Sequence, residues 1–200
     1  IFFIKWIKTK DIDCNKKTLQ NFEKAMELDA SDQEAAFYAY QICQFSQDSL
    51  KQKIYRDRLC KENIGYSLYF EAHDIFQKIQ HLELEEKNQE DYEKAVSFCQ
   101  KSLEKDPSLA CSWFLMASVF FAIDSYEQAM KHCQKALELI SQTAYFARFP
   151  EYKEIIIEDK SFISLLYLEL YLLQGRIYEK INQKNMALTS YNKLLQYAPY

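Results

Sequence analysis

Two stretches of this 200-residue chain repeat one another at a fixed distance of 34 residues. Asp91–Pro107 reads DYEKAVSFCQKSLEKDP, and Ser125–Ser141 reads SYEQAMKHCQKALELIS. Tyr92, Glu93, Ala95, Cys99, Gln100, Lys101, Leu103 and Glu104 return as Tyr126, Glu127, Ala129, Cys133, Gln134, Lys135, Leu137 and Glu138. A fixed period of this size marks structural units that cannot bury an apolar face alone and stack on their neighbours to do so. Both stretches space their apolar residues in steps of three and four. In the second, Tyr126, Ala129, Met130, Cys133, Ala136, Leu137 and Ile140 form one stripe, opposite Glu127, Lys131, Gln134 and Glu138. That is the period of an amphipathic helix.

Composition narrows the fold further. The chain has only 2 Gly and 3 Pro. Sandwiches, barrels and doubly wound sheets spend both residues freely on tight turns and strand–helix junctions. Long helices joined by short polar turns do not. Cys111–Ile123, CSWFLMASVFFAI, is nearly all apolar, so a helix there needs cover on more than one side. Asp124 and Ser125 stand where oxygen side chains cap the following helix, and Pro107 breaks the preceding one.

At this point the chain resembles the tetratricopeptide repeat family, whose helix–turn–helix unit runs aromatic, Leu, small, aromatic, then Ala, aromatic, Ala, Pro. A unit starting at Ala110 supplies Trp113, Met116, Ala117, Phe120, Ala129, Cys133, Ala136 and, in the Pro place, Ser141. A unit starting at Leu168 supplies Tyr171, Gly175, Tyr178, Ala187, Tyr191, Leu194 and Pro199, with Gln174 in the Leu place. The small residues Ala117 and Ala129, and again Gly175 and Ala187, are expected where the paired helices cross, because only a small side chain lets two backbones approach.

Outward from these units the pattern loosens. FEKAMELDA at Phe22–Ala30 resembles a repeat end with Ala25 in the role of Ala136, and the spacing from there calls for one extended unit, placed at Ile64–Gln89. A second excess of residues falls in Gln142–Tyr167, where Pro150 interrupts any helix, Glu151–Glu158 suits a short one, and Ser161 suits a cap. The resemblance thus implies an all-α fold, a tandem antiparallel helix-pair solenoid with a right-handed superhelix, of about five repeat units. Its expected divisions are degenerate repeats over 1–66, an extended repeat over 67–109, a repeat over 110–141, an insert over 142–167 and a repeat over 168–200, all in one continuous solenoid. The chain starts without Met and stops at a repeat boundary, so a longer repeat protein is expected around it.

Chemistry is sparse. The 3 histidines are His73, His81 and His132. His73 and His81 lie two helical turns apart near Glu83, Glu85 and Glu86, which reads as a solvated face rather than a zinc site. His132 adjoins Cys133, but neighbours on a helix point about 100° apart and do not form a thiolate–imidazole couple. No glycine-rich phosphate loop, nucleophile elbow or H-E-x-x-H occurs, so the reading is a non-enzyme with no catalytic residue, metal or cofactor. The 6 cysteines form no C-x-x-C pair, and Cys99, Cys111 and Cys133 sit at core positions. Reduced thiols and a cytoplasmic setting are expected. Ile1–Ile7 is apolar but far too short to cross a bilayer, and no membrane partner is expected.

In the family, the first helix of each unit lines a concave face that receives a peptide or helix of a partner protein. The resemblance places Cys111, Phe114, Ser118, Phe121 and Ala122 on that face from one unit, and Glu169, Leu172, Arg176, Glu179 and Lys180 from the next. Arg176 matches one position of the family's chaperone-tail clamp, but Ser118 and Leu172 occupy two others, which speaks against that ligand. The expected function is therefore a protein–protein interaction scaffold within an intracellular multiprotein complex. Two other classes remain open: an RNA-binding helical repeat and the regulatory domain of an enzyme. A net charge of −4 and pI near 5.5 argue against the nucleic-acid reading.

Overall fold

The computed structural model describes residues 12–82, 88–142 and 165–197. Every element among them is a helix: α1 Ile12–Leu28, α2 Gln33–Ser46, α3 Ser49–Glu62, α4 Ile64–His81, α5 Gln89–Lys105, α6 Ala110–Ala122, α7 Tyr126–Gln142, α8 Leu165–Lys180 and α9 Lys184–Tyr197. The fold is all-α, a helical repeat. The expected short helix at 151–158 and the Ser161 cap lie outside the described residues, as do Ile1–Ile7 and Pro199. None of the described helices is long and apolar enough to cross a membrane.

Contacts gather the helices into two compact units, one holding α1–α3 and the other α4–α9. In the first, α2 packs against both α1 and α3. Asp32 caps α2 by accepting from the Ala35 N–H at 2.9 Å, and Asp48 caps α3 through the Lys51 N–H at 3.1 Å. Glu23 of α1 ties α3 down, accepting from Lys51 Nζ at 2.9 Å and the Tyr55 hydroxyl at 2.8 Å. Burial pushes the pKa of this carboxyl up, but the two hydrogen bonds and the Lys51 charge together hold it below the usual carboxylate range. Ala25, expected from the sequence in the role of Ala136, is buried.

The second unit consists of three successive pairs, α4 with α5, α6 with α7 and α8 with α9, and the first helix of each later pair touches both helices of the pair before it. In the α6–α7 pair both expected seam residues, Ala117 and Ala129, are fully buried. Helix α4 runs to 18 residues against 13 in α6. Asp124 does not open α7 as the sequence suggested; it closes α6. Its φ of 60° is left-handed, and the next N–H, on Ser125, reaches back to the Phe120 carbonyl at 2.9 Å. Its carboxylate accepts the Tyr126 hydroxyl. The α8–α9 turn repeats this closure, with Asn182 at φ 59° and Gln183 N–H bonded to the Tyr178 carbonyl at 2.8 Å. Asp and Asn tolerate the left-handed region better than other non-glycine residues, which lets these hairpins turn without glycine.

One polar cluster sits inside this apolar stack. Ser102 of α5 and Ser112 of α6 are both fully buried, and their hydroxyl oxygens lie 2.7 Å apart. Ser102 also donates to the Gly65 carbonyl of α4 at 2.7 Å, so the cluster joins three helices. Ser102→Ala leaves Ser112 with an unmade bond and is expected to cost about 1–3 kcal/mol, whereas Ser102→Ala/Ser112→Ala removes both partners and returns close to wild type. Urea unfolding of the two single variants and the double variant reads this directly.

Candidate protein-binding face

The face expected from the sequence draws on α6 and α8, which touch each other. Its clearest element joins the two helices: the Arg176 guanidinium of α8 lies over the Phe121 ring of α6 at 4.9 Å. Phe121 also meets the Tyr126 ring at 5.8 Å. Phe114, Ser118, Phe121 and Leu172 are half-buried, and Ala122, Glu169, Arg176, Glu179 and Lys180 are exposed. Ser118 spends its hydroxyl proton on the Phe114 carbonyl at 3.0 Å. Cys111 departs from expectation. It is buried, because at the first turn of α6 its direction falls into the stack rather than toward solvent.

Electrostatics divide the face. Glu179 accepts the Tyr191 hydroxyl at 2.9 Å, and burial together with that bond pushes Tyr191 up to about 12. Desolvation pushes Glu169 up to about 7 although its side chain stays solvent-accessible. Nearby protein thus withholds hydration from Glu169 and no hydrogen bond or ion pair among the described residues replaces it.

A feature the sequence did not disclose lies on the other side of α6. The His132 ring of α7 stacks between Trp113, centroid 5.4 Å away, and Phe120, at 5.3 Å. Trp113 and Phe120 are two turns apart on α6, so His132 fills the slot between them, and the Trp113 indole N–H donates to the Pro107 carbonyl at 3.0 Å. Burial, with Lys131 beside it, lowers the His132 pKa and keeps the ring neutral at physiological pH. Trp113 is half-buried. His132 is therefore a packing residue, and Cys133 turns away from it to donate to the Leu170 carbonyl at 3.5 Å.

The cysteine side chains offer little chemistry. Cys43, Cys99, Cys111 and Cys133 carry free thiols. Burial pushes Cys43 up to about 11 and Cys99 and Cys133 up to about 12, so they stay protonated and unreactive. Among the described residues, no group of three His, Cys, Asp or Glu side chains comes together as a metal site.

Helix pairs stacked by small-residue seams, with an accessible face shared between first helices, define a helical-repeat scaffold. The tetratricopeptide repeat family model matches residues 112–143 and 168–200, covering α6–α7 and α8–α9. Over those residues the chain carries two tetratricopeptide repeats, units that in general support protein–protein interaction. Two solved structures, titled "Crystal structure of MamA" and "Crystal structure of MamA protein", resemble it with TM-scores of 0.46 and 0.45. Each is 10% identical to it and covers 90% of this chain, the match spanning 86% and 80% of those chains. No curated protein matches the sequence.

Proposed function

We propose that the chain holds a peptide or helix of a partner protein on the face of α6 and α8, as one module of a larger assembly. The observation that carries this reading is the Arg176–Phe121 pair. An aromatic ring and a guanidinium, each still within reach of solvent, meet where two repeat units adjoin. Arginine and aromatic side chains are the groups that most often dominate protein interfaces. Phe114 and Phe121 give the face an apolar half, and Glu169, Arg176 and Lys180 give it a charged half, so the fitting ligand is amphipathic.

Affinity capture with mass spectrometry tests this, comparing wild type with Phe114→Glu/Phe121→Glu and with Arg176→Ala. Loss of Arg176 is expected to cost about 1–2 kcal/mol of binding, roughly 5- to 30-fold in affinity. The double glutamate variant is expected to lose the partner. Equal recovery of the same proteins by all three would remove this face from the function.

A further inference from the structure

Helix α8 sets the charge of the face it shares with α6, because α6 carries no Asp, Glu, Lys or Arg. On α8, Glu169, Leu172 and Arg176 follow one another in steps of three and four and so share one side of the helix. Two turns of helix set the carboxylate and the guanidinium about 10 Å apart along the axis. Both are exposed, and neither has an ion pair among the described residues. The Phe121 ring under Arg176 at 4.9 Å holds the guanidinium in place without using its N–H donors. Glu179, the acid nearest to Arg176 along α8, gives its carboxylate to the Tyr191 hydroxyl instead. Lys180, one turn beyond Arg176 and also exposed, extends the cationic end. At the other end, desolvation pushes Glu169 up to about 7, so an incoming cation gains more there than at an open surface. The face thus has an anionic end and a cationic end, with Leu172 between them and Phe114 and Phe121 alongside on α6.

Granted that α6 and α8 form the binding face, we infer that its ligand is an amphipathic helix of a partner protein that runs antiparallel to α8 and carries an acidic residue seven positions before a basic one, with apolar residues between. Seven positions on the ligand span the same two turns as Glu169 to Arg176, so its acid meets Arg176 while its base meets Glu169. The residues three and four positions after the acid then fall on Leu172 and on the phenylalanines of α6. A β-strand fails this match. It covers about 10 Å in three residues, and side chains three apart on a strand point to opposite faces. Direction follows from the helix dipole. An acid toward the N-terminus and a base toward the C-terminus is the order that stabilises the ligand's own helix, and only the antiparallel arrangement pairs that order with Arg176 and Glu169.

Fluorescence anisotropy with stapled peptides of about 18 residues, amidated so that no terminal carboxylate competes, tests this. One peptide has Glu seven positions before Lys with leucines between, a second has the two charges exchanged, and a third has Gln at both places. Wild type is expected to bind the Glu-first peptide roughly tenfold tighter than the Lys-first peptide at low salt, the difference shrinking as salt rises. Arg176→Glu alone is expected to erase the preference and Glu169→Lys/Arg176→Glu to invert it, each with helical circular dichroism equal to wild type. Equal binding in both charge orders, a preference for the Lys-first peptide, a preference that survives the exchange on the protein, or no binding by any peptide at millimolar protein overturns the inference. So does a proline-bearing Glu-first peptide that binds as tightly as the stapled one, because the ligand would then be an extended chain. The Gln peptide separates the two readings. If it binds as tightly as the Glu-first peptide and is lost on Phe114→Glu/Phe121→Glu, the α6–α8 face stands and the charge pattern falls.

Discussion

Phe70→Ala is expected to lower stability by about 3–5 kcal/mol, the cost of removing a fully enclosed aromatic ring and leaving a cavity. Phe70 lies in α4 at 1% exposure, with Tyr69 at 5.0 Å and Tyr66 at 6.5 Å between ring centroids. The helix around it has little room to collapse, because Ala72 is already fully buried beside it and Ile79 nearly so. In a stack where each unit leans on its neighbours, damage to one pair spreads first to the elements it touches. Hydrogen exchange should therefore accelerate most in α4 and α5, then in α6, with α8 and α9 affected least. Uniform acceleration across α4–α9 would mean the six helices unfold as one block. A loss under about 1 kcal/mol would mean that Phe70 is not enclosed as described.

The repeat was legible because identical side chains recur at one interval, and identical burial demands follow. Ala95, Cys99, Ala129, Cys133 and Ala136 are all fully buried, as their shared stripe required. What escaped the sequence was set by pairs of positions rather than single ones. Gln174 breaks the family pattern at an apolar place, and the structure shows why it is tolerated: it accepts from Ser190 at 2.9 Å, and Ser190 holds the place that His132 has in the preceding unit. His132 in turn packs between two rings, a role no lone histidine announces. The turn at Asp124 was misread for a related reason. Aspartate serves both as a helix cap and as a left-handed terminator, and only the backbone bond of Ser125 to Phe120 tells the two apart. On the candidate face, Cys111 was placed by family position alone, and the start of α6 is already enclosed there.

The two best-defined repeats solve one packing problem in opposite ways, and exchanging the solutions is the sharper test. A β-carbon added to Gly175 would stand 2.3 Å from a ring carbon of Tyr191, well inside contact distance. In the preceding unit the same two places hold Ala117 and Cys133, both fully buried. A larger residue on the first helix is thus matched by a smaller one on the second. Gly175→Ala gains about 1 kcal/mol of helix propensity but must displace the ring, and its bond to Glu179 with it. Overpacking of about 1–3 kcal/mol outweighs that gain, so a net loss of about 1 kcal/mol is expected. Tyr191→Cys alone removes a half-buried ring over a glycine and should cost about 2–3 kcal/mol. The double variant Gly175→Ala/Tyr191→Cys recreates the α6–α7 solution, so its cost should be smaller than the sum of the two by about 1–3 kcal/mol. Additive losses in urea unfolding would show that Gly175 is small for some reason other than the ring it faces, and the shared seam logic of the two repeats would then fail at its best-resolved point.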